Sequence, residues 1–428
     1  MALGGLVGAN DGTVSTSYST GSVSGFNSVG GLIGSNGGPI RNSYATGSVS
    51  GSNYVGGLVG SNFDGAISYT YAIGRITGAS SVGGLVGFND TNSVTSSYWD
   101  TAASGLATSA AGVGMTTASM QNQANFTSAT AANGNVNPNW DFTNTWVMYN
   151  GYTYPLLRAF MTPLTVSANS AVITYDNAAY SPTGVSYSTT PNPNLLLGTL
   201  NYGGGAQGPV NVGTYTLGGL YSNQQGYIIT YGSNTLTINP LASVTWVGGT
   251  SGNWSNPANW AGGAIPDYGN VLRVSIPGGD TVTYDAAMAS LGTTVLTSLT
   301  SAGTVLMSAG SLDTTGAFST AGFEQTGGVL SAGTLKINAT SASGVQLGDI
   351  TAGVLSVSSK GGPISELSGA SVDVTGATVL TAENGPSYYG ITLGSSGNSF
   401  GAPITSTGSS IDLQSAGLDL GNTIATGA

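Results

Sequence analysis

The sequence predicts an all-β chain built largely of stacked parallel-strand coils, and three observations predict it. A motif recurs at a near-constant interval through the first hundred residues. Charge is scarce while apolar residues are plentiful: 5% of the 428 residues are charged and 40% are hydrophobic. Glycine, 70 residues of it, punctuates the chain almost throughout. An ordinary soluble domain carries roughly 25% charged residues, but a disordered chain would also need low hydrophobicity. Single Val, Leu, Ile and Tyr set between Gly, Ser, Thr and Asn describe many short strands joined by tight turns.

The repeat opens with Gly-Gly-Leu-Val-Gly-x-Asn at Gly4, Gly30 (where Ile33 replaces Val), Gly56 and Gly83, at intervals of 26, 26 and 27. Other columns keep the register: Val14, Ile40, Ile67 and Val94; Tyr18, Tyr44, Tyr71 and Tyr98; Val23, Val49 and Ile76; Leu3, Val29, Val55 and Val82. Each unit holds three strand-like runs and cannot bury its own apolar face. Stacking solves this by placing Leu6, Leu32, Leu58 and Leu85 in one inward column. A helical repeat is disfavoured, because glycines and β-branched residues each cost about 0.5–1 kcal/mol in a helix. Residues 1–100 are therefore expected to form a parallel β-solenoid. The Asn column (Asn10, Asn36, Asn62, Asn89) is expected to be an inward ladder or a left-handed turn residue, with cation or sugar binding as the alternative. The Tyr column is expected to be core or a stacked ladder, with a sugar platform as the alternative.

These residues resemble the GLUG repeats of bacterial surface proteins. Ser97-Tyr98-Trp99-Asp100-Thr101 with Ser104-Gly105 resembles the end of such an array. Thr116–Met120 and the aromatic run from Trp140 to Leu157 resemble the segment that follows it. Residues 101–162 are expected to be a capping segment with one short helix over 116–124, started by Thr116 or Thr117, and an aromatic tail closing the solenoid end.

Residues 163–240 alternate with period two between turn clusters, which predicts a small antiparallel β-domain. The Tyr175-Asp176 start, the Gly213-Thr214-Tyr215-Thr216 strand and the Leu236-Thr237-Ile238 end resemble the MBG family of mucin-binding-like modules, with Asn177 in place of the usual Gly. The resemblance implies a spacer or a mucin binder.

Residues 241–428 open on Trp246-x-Gly-Gly-x-x-Gly-x-Trp254, then Asn259-Trp260. Trp246, Trp254 and Trp260 form either an aromatic cap on the next solenoid or a glycan contact. From Thr281 onward, glycines at intervals of five to seven residues separate expected strands of three to six residues, starting with Gly303, Gly310, Gly316, Gly322, Gly328 and Gly333. This stretch resembles the haemagglutinin-type β-helix of two-partner-secretion exoproteins, which implies a second, right-handed parallel β-helix.

Chemistry is bounded by what the chain lacks. With no His and no Cys, Ser-His-Asp and Cys-His catalysis are excluded, as are His and thiolate metal sites. Neither Lys336 nor Lys360 lies in a phosphate-loop context. Six Lys and Arg against 17 Asp and Glu give a net charge of −11 and no phosphate-neutralising stripe, so no nucleic-acid partner is expected. No run of 18 apolar residues crosses a membrane as a helix. Carboxylate-only chemistry remains open, as in a β-helix polysaccharide lyase or glycosidase, but it needs clustered acids. Here they are spread singly, with Asp11, Asp64 and Asp90 in turns. The expectation is a non-enzyme with no catalytic, cofactor or metal residues. It would be a stalk-like or adhesive segment of a secreted bacterial cell-surface adhesin. A specific glycan- or mucin-binding module is the alternative. Because the repeat starts at Leu3, the chain is expected to be a fragment whose signal and secretion domain lie elsewhere in its parent. Expected partners are host or environmental glycans or mucins, the parent's outer-membrane transporter, and further copies meeting at open solenoid ends.

Overall fold

Where every apolar position of a 26-residue unit is matched by the same position in the next, strands pair between units rather than within them. The computed structural model, which describes residues 1–90, 93–205, 208–415 and 420–425, has this arrangement. The second coil consists of Asn27–Gly30, Ile33–Asn36, Ile40–Ala45 and Val49–Ser50. Each strand pairs in parallel with its counterpart in the third coil, as in Val29↔Val55, Ile33↔Val59, Tyr44↔Tyr71 and Val49↔Ile76. A coil therefore has four strands, not the expected three. The fourth is only two residues long, so its single apolar column of Val23, Val49 and Ile76 recurs in register without reading as a strand.

The left-handed bends of the coils are made without glycine. Thr16, Asn42, Tyr69 and Ser96 have φ between 45° and 55°, each inside or beside a strand whose pairing skips them: Ser15↔Arg41 and Ser17↔Ser43 flank Thr16 and Asn42. Single left-handed residues bend the strand as a bulge does. The cost of roughly 1–2 kcal/mol for each non-glycine residue is offset by the ladder on both sides. The Asn column is absent from these left-handed positions. One turn varies in length: three residues separate Asn36 from Ile40, but four separate Asn62 from Ile67. The flanking pairs Asn36↔Asn62 and Ile40↔Ile67 are nevertheless in register.

Leu32, Leu58 and Leu85 are fully buried, as expected of an inward column, but Leu6 is 48% exposed. It departs because only one coil stacks on it. The Asn column is a buried ladder in which each side-chain amide donates to the next carbonyl. Asn10 donates to Asn36 at 2.8 Å, Asn36 to Asn62 at 2.7 Å, and Asn62 to Asn89 at 2.8 Å. Asn62 also donates to the Gly65 carbonyl at 2.9 Å. Asn62→Ala removes the acceptor of the buried Asn36 amide and should cost about 2–4 kcal/mol, the sum of a lost bond and an orphaned donor. Equilibrium urea unfolding reads it, and a loss below about 0.5 kcal/mol would mean that water replaces the ladder.

Beyond the fourth coil, Val113–Met115 adds in parallel to Tyr98–Asp100. The expected helix over 116–124 is one turn, Thr117–Met120, with Thr116 Oγ1 accepting from the Ser119 amide at 3.2 Å. It stops because the Asn122 side chain accepts from the Ala124 amide at 3.1 Å and starts a separate turn, Ala124–Thr127. A third short helix, Thr101–Ser104, precedes both. Met120, Phe126, Trp140, Trp146 and Leu157 pack with the Tyr column in one apolar cluster.

The chain divides into two units: Met1–Ala168 with Gly184–Leu200 and Gly218–Gly232, and Asn169–Thr183 with Asn201–Leu217 and Ser233–Ala428. Residues 163–240 thus contribute to both, and their pairing is mixed rather than antiparallel. In the first unit Thr162–Ser167 pairs in parallel with Tyr227–Tyr231 and antiparallel with Ser186–Tyr187. In the second, Ala171–Thr174 pairs in parallel with Thr235–Asn239, which pairs antiparallel with Gly213–Thr216. Thr162↔Tyr227 and Ala171↔Leu236 share one offset of 65 residues. Local alternation marks strands but not their partners, and a connection of that length permits parallel pairing.

In the second unit the strands from Val244 onward form a continuous ladder, parallel apart from the antiparallel Thr378–Asn384 and Ser387–Tyr388 pair. Leu312, Leu330, Ile350 and Val372 align across successive coils, at intervals of 18, 20 and 22 residues. No fixed period is therefore visible. Strands run longer than expected: Ser298–Met307 has 10 residues and Ser311–Gln325 has 15. Gly310 and Gly328 separate strands as expected, with φ of 76° and 78°, but Gly303, Gly316, Gly322 and Gly333 lie inside them. Pairing shifts between Ser301 and Thr304, around Gly303, and between Thr314 and Ala317, around Gly316. These glycines bend strands instead of ending them.

Candidate functional site: a tyrosine- and amide-lined cleft

The 26-residue register that aligns the coils also stacks the Tyr column. Tyr18 and Tyr44 lie 5.3 Å apart at 12°, Tyr44 and Tyr71 4.7 Å apart at 7°. Tyr154, from the aromatic tail, continues the stack against Tyr71 at 6.2 Å and 13°. Tyr98 leaves it and packs edge-on to Phe126.

Three hydroxyls hold this wall. The Tyr44 hydroxyl donates to Gln224 Oε1 at 2.8 Å, and Gln224 is itself clamped to the backbone of Leu157, accepting from its amide at 2.8 Å and donating to its carbonyl at 2.9 Å. The Tyr71 hydroxyl donates to the Pro155 carbonyl at 2.6 Å, and Tyr154 donates to Asp100 Oδ2 at 2.7 Å. Asp100 is fully buried, and its Oδ1 accepts from the Ala102 and Ala103 amides at 2.8 and 2.9 Å. It caps a helix and orients Tyr154.

In front of the wall lies a cleft of about 360 Å³ rimmed by Thr20, Thr46, Gln121, Tyr152 and Asn223. Its lining carries no charged side chain. Tyr152 stacks on Tyr221 at 4.7 Å and 17°, yet stays 53% exposed. Among the described residues, the side chains of Thr20, Thr46 and Asn223 take no hydrogen bond.

Burial sets the acid–base behaviour of the wall. It pushes the Tyr44 and Tyr71 hydroxyls well above the ordinary tyrosine value, with neighbouring tyrosines adding to the effect. Burial also raises Tyr154, with the Asp100 hydrogen bond and charge adding to it, and raises Tyr98 to about 12. The folded state therefore holds these protons more tightly than the unfolded chain. Stability should be full below about pH 10 and fall as pH rises above it, by up to about 1.4 kcal/mol per pH unit for the fully buried Tyr71. Melting temperatures from pH 8 to 11.5 test this, and Tyr71→Phe should make the alkaline fall shallower. A melting temperature unchanged at pH 11 would mean that the stack is open to water.

The three tryptophans considered as a glycan contact are not available to one. Trp246, Trp254 and Trp260 are 1%, 0% and 1% exposed. Trp260 packs edge-on against both others, at 5.2 and 4.8 Å, and Trp254 packs edge-on against Tyr284 at 5.3 Å. Their indole N–H groups donate to the carbonyls of Gly249, Pro266 and Trp254. Large apolar rings next to the first coil gain more by filling it than by facing water. Tyr152, Gln121 and Asn223 were missed as site residues. The available signals were the Tyr-Thr-Tyr alternation over 152–154 and the Gln224-Gln225 pair.

Residues 27–50 and 51–77 match the GLUG motif, and residues 332–407 match a family described as repeats of unknown function (DUF5649). The repeat coils of the first unit are thus GLUG-repeat coils over the matched residues. No curated protein and no solved structure matches the chain.

Proposed function

We propose that the chain is a non-catalytic structural and adhesive segment of a bacterial cell-surface adhesin. The observation that carries this reading is the use of the repeated side chains. The Leu, Asn and Tyr columns bond and pack against their own copies in the next coil. Such repeats extend a surface and hold it rigid, and they leave recognition to side chains outside the columns. The parent would be exported by the two-partner route of filamentous-haemagglutinin-type proteins, through an outer-membrane transporter. The MBG-like stretch would act as a spacer, and host or environmental glycans or mucins would be what the surface meets.

Antibodies raised against the purified chain should label intact, unpermeabilised cells that carry the parent gene, and protease shaving should remove the signal. Labelling that appears only after lysis would overturn the surface reading. The same preparation should release no product from pectins, uronates or mucin glycans. Release abolished by a single Asp→Asn or Glu→Gln change would replace the adhesive reading with an enzymatic one.

A further inference from the structure

We infer that the tyrosine- and amide-lined cleft of the first unit is a binding site for a neutral saccharide. This deepens the adhesive reading and rests on it for the source of the ligand.

The chemistry of the lining selects the ligand class. A sugar ring presents an apolar C–H face and a rim of hydroxyls that both donate and accept. Tyr152 is more than half exposed as a residue, and stacking on Tyr221 fixes the orientation of its ring. Gln121 and Asn223 bring carboxamides, and Thr20 and Thr46 bring hydroxyls, all groups able to donate and accept at once. With no charged side chain in the lining, neither a uronate nor a cationic ligand finds a partner there. The volume of about 360 Å³ sits at the small end of ligand pockets, room for one or two rings and not for an extended polymer.

The wall is also pre-organised. Tyr44, Tyr71 and Tyr154 are each held by a hydroxyl bond, to Gln224, Pro155 and Asp100, so binding orders few side chains. The buried hydroxyls are already spent. Contact falls to the exposed Tyr152 and to the Thr, Asn and Gln side chains around it. A proline-rich peptide also seeks tyrosine rings, but the hydroxyl and carboxamide rim favours a polyhydroxylated ligand.

Saturation-transfer NMR on the full chain tests the site, using glucose, galactose, N-acetylglucosamine and their neutral disaccharides as probes at about 10 mM, tenfold above a millimolar Kd. Galacturonate and a proline-rich decapeptide serve as comparators. At least one neutral saccharide should show transfer. Tyr152→Ala should weaken its binding at least about tenfold, and Tyr152→Phe, which keeps the ring, should retain most of it. Asn223→Ala should weaken it by a smaller factor. Circular dichroism melts matching the unmodified chain certify that each variant is folded. Transfer to none of the neutral sugars would overturn the inference, as would binding unaffected by Tyr152→Ala, or binding of the peptide or galacturonate alone. Each of these outcomes is read on purified protein, whereas cell labelling decides the surface reading, so the two fail separately.

Discussion

Gly56→Ala should destroy the stacked coils. A Cβ on Gly56 would lie 2.0 Å from the Val59 carbonyl oxygen and 2.6 Å from the Gly87 amide nitrogen. Both are backbone atoms held in the parallel ladder, so neither can withdraw without breaking pairing. The equivalent positions Gly30 and Gly83 meet the carbonyls of Ile33 and Val86 at 2.0 and 1.9 Å. The first glycine of the repeated Gly-Gly pair therefore marks a close backbone approach made in every coil. We expect a loss above about 4 kcal/mol or no cooperative melting of the coils, outside the range of most point changes. Gly12→Ala is the control: its Cβ would meet nothing within 4 Å, and its effect should stay within about 0.5 kcal/mol. A Gly56→Ala variant that melts like the control would mean that successive coils are not in contact there.

Trp254→Ala should be costly to the second unit, at about 3–5 kcal/mol for a buried indole. The side chain is fully buried, donates to the Pro266 carbonyl at 2.8 Å and packs against Trp260 and Tyr284. Its removal leaves a cavity and a buried acceptor without its donor. In urea, the midpoint should fall while the slope is kept, because the same surface is exposed on unfolding. A stability-neutral Trp254→Ala would restore the exposed aromatic platform that the sequence left open.

The two outcomes also mark what could be read from residues alone. Gly4, Gly30, Gly56 and Gly83 recur in step with the Leu, Asn and Tyr columns, and a register shared by several columns has one physical cause, stacking. That made the solenoid and the buried Asn ladder readable. The strand Val49–Ser50 was not, because one recurring apolar residue marks a position and not a strand. The strand partners over 163–240 were not readable either, because alternation constrains the face a side chain takes and not the direction of the neighbour. Gly303 and Gly316 suggested strand ends, but a glycine serves a bend and a break equally well. Trp246, Trp254 and Trp260 look alike as a platform and as a core until burial is known. The cleft was hidden for a different reason: Thr20, Gln121, Tyr152 and Asn223 come from four distant parts of the chain, and no local pattern joins them.

The turn after Asn62 takes one residue more than the turn after Asn36, yet the ladders on both sides stay matched. Phe63 and Asp64, within it, are exposed. Length variation in such a gene is thereby channelled. Small insertions are absorbed at this one corner. Elsewhere in the coil a slip of one residue would turn every inward side chain outward. Unequal recombination between near-identical coils, by contrast, adds or removes a whole unit and rejoins Leu to Leu, Asn to Asn and Tyr to Tyr. The length of the stack can then change in whole-coil steps over evolutionary time while each step stays foldable, and the corner after Asn62 is where a foreign peptide could be inserted without disturbing the stack.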